Sequence, residues 1–374
     1  MWAWRDGDPA GDRRFAAVGD LTLDSGAVLP SVTVAYETAG ELSPSRDNAV
    51  LVLHALTGDS HVSGPAGPGH PTPGWWGGLV GRGAALDPSR WFVVTPNVLG
   101  GCQGTTGPSS PAPDGRAWGG RFPRITVRDQ VAAEAALADV LGIDHWALVL
   151  GGSMGGMRVL EWMVGHPDRV ARAVPLATTA AASADQIAWC APQLAAIRSD
   201  PHWAGGDYYD APGDRLPTTG LGIARRIAHV TYRSGEDLDD RFGRSPQPGE
   251  DPATGGRYAV ESYLDHQAGK LATRFDAGSY VVLTEAMNSH DVGRDRGGVE
   301  MALGLVQAHT TVIGIDSDRL YPVPQSERIA AGVPGASGPV VVASRAGHDG
   351  FLTETAAVGR VVTEALRCRL RQAV

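Results

Sequence analysis

The stretch Trp146–Val164, WALVLGGSMGGMRVLEWMV, sets four glycines (Gly151, Gly152, Gly155 and Gly156) around one serine, Ser153. An apolar run precedes them and an amphipathic run follows. Glycine carries an entropy cost in either element, so the cluster predicts a strand-to-helix turn that larger residues would obstruct. Gly151 to Gly155 fits G-x-S-x-G with a strand before and a helix after. In that setting a sharp turn presents the serine hydroxyl as a nucleophile, and small neighbours let strand and helix approach closely. The plainer alternative is a glycine-rich turn with an incidental serine.

Working outward, NAVLVLHAL (48–56), WFVVTPNVL (91–99), VARAVPLAT (170–178), TTVIGID (310–316) and GPVVVAS (338–344) read as further core strands. TVRDQVAAEAALADVLGI (126–143) has apolar positions at helical spacing, a threonine cap and a glycine stop. Strands alternating with helices predict a mostly parallel sheet covered on both faces. LTLDSGAVLPSVTVAYETAG (21–40) has hairpin character and adds antiparallel strands at one edge. Helical patterns dominate from residue 181 to 289, with Gly-, Pro- and Asp-rich loops between them. The expected organisation is a core of residues 1–180 and 290–374, with a helical lid, residues 181–289, inserted over the active edge of the sheet. The tryptophans in GPAGPGHPTPGWWGGLVGRG (64–83) require packing partners, so this long loop is expected to be ordered.

Composition excludes several function classes. The net charge of −9 over 374 residues argues against a nucleic-acid partner, and no basic run suggests a membrane surface. No apolar run is long enough to span a membrane, and MWAWRDGDPAGDRR is charged where a signal peptide would be apolar. A cytoplasmic location is the expectation. Cys102, Cys190 and Cys368 are scattered, which fits a reducing compartment; Cys102, in GGCQG, is the alternative nucleophile. Lys270 is the only lysine, so Schiff-base chemistry would rest on that residue alone. The eleven histidines form no HExxH and no tight His/Cys cluster, so neither a metal site nor a bound cofactor is expected.

A serine nucleophile needs a base, and the base needs a group to orient it. On a strand–elbow–helix scaffold these follow in the order acid, then histidine, from loops after later strands. TTVIGIDSDRLYP ends a strand in Asp316 and Asp318; its spacing to Pro322 favours Asp318, with Asp316 shaping the loop. His348 follows the last strand in GPVVVASRAGHDGFLTE. The expected triad is Ser153, Asp318 and His348. Oxyanion donors are expected from the backbone N–H of Met154 and from the loop after the early strand, at Leu56 or Thr57. His54, at the end of that strand, is expected to be satisfied by backbone and not catalytic.

With these residues in place, the chain resembles the homoserine O-acetyltransferases of the α/β-hydrolase type. The blocks GWWGGL, NVLGGCQGTTGPSS, FPRITVRDQV, GGSMGGMRVLEW, GLGIARRIAHVTYRS, SDRLYP and GHDGFL occur in the family's order. The resemblance implies an α/β-hydrolase fold and acetyl transfer from acetyl-CoA, as co-substrate, to L-homoserine, in methionine biosynthesis. It implies that Arg225 meets the substrate carboxylate, and that Asp349 meets the ammonium with Tyr232 nearby. On the residues alone, Arg225 could equally be a surface charge and Asp349 a helix cap. A homodimer is also implied, through the helical insertion. Two half-reactions through one serine imply ping-pong kinetics. Sister activities with succinyl-CoA or serine, and a plain esterase or thioesterase, remain alternatives. Family members usually carry glutamine or alanine at Arg158; little consequence is expected from that difference, though it could alter packing beneath the site.

Overall fold

The computed structural model describes residues 3–212 and 215–368. Among these residues nine strands form one sheet: β1 (Arg14–Thr22), β2 (Val28–Ala39), β3 (Ala49–Leu53), β4 (Phe92–Pro96), β5 (Leu148–Gly152), β6 (Arg172–Leu176), β7 (His309–Thr310), β8 (Ile313–Ile315) and β9 (Val340–Val342). Their order is β1-β2-β4-β3-β5-β6-β8-β9, with β7 also pairing β6. β1–β2 and β2–β4 are antiparallel, and every other pairing is parallel. The hairpin therefore supplies the antiparallel edge that its sequence predicts.

The apolar runs of the central strands divide by alternate residues. Leu51, Leu53 and Val149 join a core with α1 (Val127–Val140) and α2 (Met154–Gly165). Val50, Val52, Leu148 and Leu150 face the other way, onto Trp76 and the C-terminal helix. Because both faces are covered, neither set is free to become polar, and the strands read as continuous apolar runs. Thr126 stands at the N-cap of α1, as its sequence suggests, and Asp129 Oδ2 reaches back to accept the Thr126 N–H at 2.7 Å. Trp76 is buried and donates its Nε1–H to the Phe351 carbonyl at 3.2 Å, so the long GWW loop packs on the core.

Among the described residues, five α-helices lie between β6 and residue 289: α3 (Ala184–Arg198), α4 (Thr218–Tyr232), α5 (Gly235–Phe242), α6 (Ala259–Ala272) and α7 (Ala277–Asn288). The chain leaves and rejoins the core side by side. Ala182 N–H donates to the His290 carbonyl at 2.8 Å, and Val292 N–H to Ala180 at 2.9 Å. The helices share a third apolar cluster with the sheet's C-terminal end, in which Leu194, Leu221, Leu271 and Leu283 meet Leu56, Met154 and Met157. After it come α8 (Val299–Gly304), α9 (Val323–Gly332), α10 (Gly350–Thr353) and α11 (Thr355–Arg367). In α11, Val358, Val361, Val362 and Ala365 are buried at helical spacing.

The register brings three strand ends together. Leu53 pairs with Gly151 across β3–β5, and Gly152 with Leu176 across β5–β6. The loops after β3 and β5 thus leave the same carboxyl edge as neighbours, where open α/β sheets place ligands.

Candidate active site

The four glycines of the opening stretch are explained by close approach. A Cβ on Gly155 would lie 2.1 Å from the Leu53 carbonyl oxygen, and one on Gly151 would lie 2.7 Å from the Gly155 backbone. A Cβ on Gly152 would strike the Phe351 ring at 2.6 Å, and one on Gly156 the Thr178 side chain at 2.5 Å. None of the four adopts a positive φ; Ser153 does, at φ 59° and ψ −125°. The glycines thus give the room that their sequence predicts, and the strained backbone of the turn falls on the serine. Such a conformation costs a non-glycine residue about 1–3 kcal/mol and persists only where its surroundings impose it. Here Ser153 N–H donates to the Leu176 carbonyl at 3.0 Å, and its own carbonyl accepts from Thr178 Oγ1 at 2.8 Å.

Asp318 and His348 arrive from the loops after β8 and β9. The Asp318 Oδ2 lies 2.7 Å from His348 Nδ1, and both side chains are buried. A carboxylate here only accepts, so Nδ1 carries the proton and Nε2 keeps a lone pair. Asp318 Oδ1 accepts from the N–H groups of Leu320 and Tyr321 at 2.8 and 2.9 Å, which fixes the carboxylate. Asp316 is exposed and accepts from Ser344 N–H at 2.9 Å, tying its loop to the segment after β9. His348 rests on the rings of Tyr321 and Phe351, each 5.2 Å away between centroids. The preceding Gly347 has φ 69°, and a Cβ there would meet the Ser234 nitrogen at 2.5 Å, so the histidine loop seats directly on the end of α4.

Ser153 and His348 line one cavity of about 160 Å³ with Leu56, Thr57, Arg225, Tyr232, Arg274 and Asp349. A larger groove of about 680 Å³, between Trp4 and Trp118, shares no residue with it. The loop after β3 is clamped at both ends. Arg158 NH2 donates to the His54 carbonyl, and Arg274 NH1 to the Thr57 carbonyl at 2.8 Å. The His54 ring bonds the Ala55 carbonyl through Nδ1 at 2.8 Å and accepts Val98 N–H at Nε2 at 3.1 Å. Burial holds it neutral, with a pKa lowered to about 3. Between the clamps, Leu56 N–H meets no acceptor among the described residues. Met154 opens α2, so its N–H has no intrahelical acceptor either. A carbonyl attacked by Ser153 would develop its negative charge beside two such donors.

Arg225 sits on α4. Its Nε and NH1 are buried without a hydrogen-bond partner, and its guanidinium lies 5.3 Å from the centre of the Tyr232 ring. The neighbouring Arg226 faces away and pairs with Asp265 at 2.7 Å. Asp349 approaches Arg233 NH1 at 3.4 Å through Oδ2. Burial raises its carboxyl above the usual value, against the pull of His348, Arg225 and Arg233. Burial likewise raises Tyr232.

Three features escape sequence reasoning. Arg158 is wholly buried and reaches Glu134 Oε1 at 2.6 Å, while Trp162 Nε1–H holds Oε2 at 2.8 Å. The packing beneath the elbow that Arg158 is expected to be able to alter is a buried ion pair. Arg274 joins the site from a position 217 residues beyond its partner, Thr57. Asp12, Glu37, His61 and His70 converge, with ligand-type atoms within 4.8 Å of one another, although no short spacing links them. They largely satisfy each other: His61 Nδ1 meets Glu37 at 3.0 Å, and His70 Nε2 accepts Asp12 N–H at 2.9 Å. Cys102 lies outside the Ser153 cavity; burial pushes its thiol up to about 12, which removes it as a nucleophile.

Residues 48–355 match the family model described as the alpha/beta hydrolase fold. A homoserine O-acetyltransferase of Thermobifida fusca (strain YX) is 65% identical over 97% of this chain and 96% of its own. The chain belongs to the homoserine O-acetyltransferase family of α/β hydrolases. Among solved structures, the homoserine O-acetyltransferase from Bacillus anthracis superposes with a TM-score of 0.87 at 25% identity, covering 96% of this chain and 98% of that one. The family fold is not confined to transferases by name: esterase E22 superposes with a TM-score of 0.86 at 25% identity, over 95% and 99% of the two chains.

Proposed function

We propose that the chain transfers the acetyl group of acetyl-CoA to the hydroxyl of L-homoserine through an acetyl-Ser153 intermediate. The observation that carries this reading is Arg225: a guanidinium lining the cavity of the nucleophile and its base, with its buried Nε and NH1 lacking hydrogen-bond partners. Two parallel N–H groups suit a carboxylate, and hydrolysis of an apolar ester would have no use for them. His348 Nε2 takes the Ser153 proton as the hydroxyl attacks the thioester, and the oxyanion is held by Leu56 and Met154 N–H. His348 then protonates the departing thiolate, leaving acetyl-serine. Homoserine enters with its carboxylate on Arg225 and its ammonium between Asp349 and Tyr232. His348 takes the proton of its hydroxyl as that oxygen attacks the acetyl carbon, and Ser153 leaves with the proton returned.

Asp318 orients the imidazole and stabilises its charged form at each step. The helices α3–α7 act as a lid that keeps water from competing for acetyl-serine. In this reading the enzyme needs no resident cofactor, works as a cytoplasmic homodimer and feeds methionine synthesis. A second reading, ester or thioester hydrolysis, is favoured by the likeness to esterase E22.

Free thiol released from acetyl-CoA or succinyl-CoA, with and without L-homoserine or L-serine, separates the readings. Release from acetyl-CoA that requires homoserine and vanishes in Ser153→Ala supports transfer. Equal release without an amino acid acceptor would establish hydrolysis and leave Arg225 without its role.

A further inference from the structure

α4 ends at Tyr232 because Arg233 takes an extended backbone, at φ −106° and ψ 148°. Arg225 and Tyr232, about two helical turns apart and so on one face, line the Ser153 cavity, and Arg233 does not. Ser234 then caps α5: its Oγ accepts the Asp237 N–H at 3.0 Å and donates to the Arg345 carbonyl at 2.6 Å. The cap sets Asp237 in the first turn of α5, within reach of Arg233. Arg233 gives Nε to Asp237 Oδ2 and NH2 to Asp237 Oδ1, each at 2.8 Å. Its remaining nitrogen, NH1, lies 3.4 Å from Asp349 Oδ2.

Asp349 thus has two arginines within its field. Arg225 lines the same cavity of about 160 Å³, and its charge acts on the Asp349 carboxyl together with those of His348 and Arg233. Among the described residues, however, Asp349 pairs with Arg233, and Arg225 joins no ion pair. A cation and an anion facing one small, poorly hydrated space attract each other strongly. If they met, neither would be open to a ligand that carries both charges. A cavity that receives a zwitterion therefore needs its own two charges held apart in advance, so that binding does not first have to separate them.

We propose that Arg233 is a positioning residue that holds Asp349 away from Arg225, keeping the two opposite charges of the cavity free for the two ends of an amino-acid zwitterion. The proposal rests on the transfer reading and adds to it the residue by which the acceptor's two charges are read as a pair. Arg233 touches no ligand; it acts through Asp349. Asp237 fixes it by binding the fork of the guanidinium, an arrangement that a lysine lacks.

The test uses two inhibitors without a hydroxyl, so neither accepts an acetyl group: L-2-aminobutanoate, with both charges, and butanoate, with the carboxylate alone. Each is measured against Ser153-dependent cleavage of p-nitrophenyl acetate, and each variant's own uninhibited rate is its reference. Arg233→Met weakens inhibition by both about tenfold, because Asp349 closes on Arg225 and a charge-assisted contact is lost. Adding Asp349→Asn to Arg233→Met frees Arg225 again. Inhibition by butanoate then returns at least to the parental level, while L-2-aminobutanoate loses its advantage over butanoate. Arg233→Lys falls between the parent and Arg233→Met. Arg345→Ala, which breaks another pair across the same seam, with Asp240 at 2.5 Å, leaves both inhibitions as in the parent. In acetyl transfer, Arg233→Met raises the KM for homoserine about tenfold and leaves kcat within about threefold.

Parental inhibition in Arg233→Met, or no recovery by butanoate in the double variant, overturns the proposal and leaves the transfer reading standing. If the parent transfers no acetyl to homoserine, yet butanoate weakens in Arg233→Met and recovers in the double variant, the transfer reading fails and the separation of charges stands.

Discussion

Replacing Arg158 by methionine keeps much of the side chain's bulk and removes its charge. The Glu134 carboxyl is then left with one partner, the Trp162 Nε1–H, in a setting where Arg158 is fully buried and Glu134 nearly so. Breaking a buried pair by deleting one member costs about 3–5 kcal/mol, because the remaining charge is uncompensated. The loss depends on pH. Burial already raises the Glu134 pKa, with Arg158 pulling it down, so the substitution raises it further. A carboxyl whose folded pKa exceeds its unfolded value favours the fold below the unfolded pKa, and that contribution is lost as pH rises through the folded one. The variant's deficit against the parent should therefore be small in acid and grow towards neutral and alkaline pH. Urea denaturation across pH 5–8 measures it. Arg158→Met with Glu134→Gln should remove most of the pH dependence and recover about 2 kcal/mol, leaving mainly the lost bond to the His54 carbonyl. Because that carbonyl anchors the loop carrying Leu56 N–H, acyl transfer should also slow by about 10²-fold. A single-variant cost under about 1 kcal/mol at pH 8, or a double variant no more stable than the single, would refute the reasoning.

Ser153→Gly should raise stability by about 1 kcal/mol in thermal or chaotrope unfolding, because φ 59° suits glycine, while transfer falls about 10⁴-fold or more. Gly155→Ala should destabilise by about 3 kcal/mol, since its Cβ would lie 2.1 Å from a carbonyl oxygen; Gly269→Ala on α6, with open space around it, should gain about 0.5–1 kcal/mol. Asp318→Asn should leave the fold intact and lower kcat by about 10⁴-fold, because an amide donor facing Nδ1 favours the wrong imidazole tautomer. A chromogenic disulfide at pH 8 should titrate Cys368 quickly and Cys102 only after unfolding, the first being exposed and the second buried with a pKa raised to about 12.

The fold is legible where a local signal and a tertiary need coincide. Ala49–Leu53 and Leu148–Gly152 are buried throughout, and their sequences are apolar throughout. The hairpin reads from its Asp-Ser-Gly turn, where Leu23 N–H closes on the Ala27 carbonyl at 2.8 Å. TTVIGID misleads slightly. It reads as one strand, but β7 ends at Thr310 and β8 begins at Ile313, the first pairing β6 near its start and the second near its end. An apolar run reports burial, and a two-residue break in pairing leaves burial unchanged.

The site divides along the same line. Ser153, Asp318 and His348 follow recognisable strands, so their order and flanks bring them forward from the sequence. The groups that hold the oxyanion loop have no such context. Arg158 acts on His54 104 residues earlier, Arg274 on Thr57 217 residues earlier, and each is an ordinary helix or loop arginine until the chain is folded. The opening glycines join the two cases. Their pattern announces the elbow, but their purpose, leaving the Leu53 carbonyl, the Phe351 ring and Thr178 room to touch the turn, depends on residues from three other elements. That crowding allows a non-glycine residue to be held at φ 59°: the neighbours that exclude four Cβ atoms also leave Ser153 little room to relax. The strain at the serine and the glycines around it are one device, in which close packing of β5, α2 and the loop after β3 fixes the hydroxyl beside the two unpaired N–H groups.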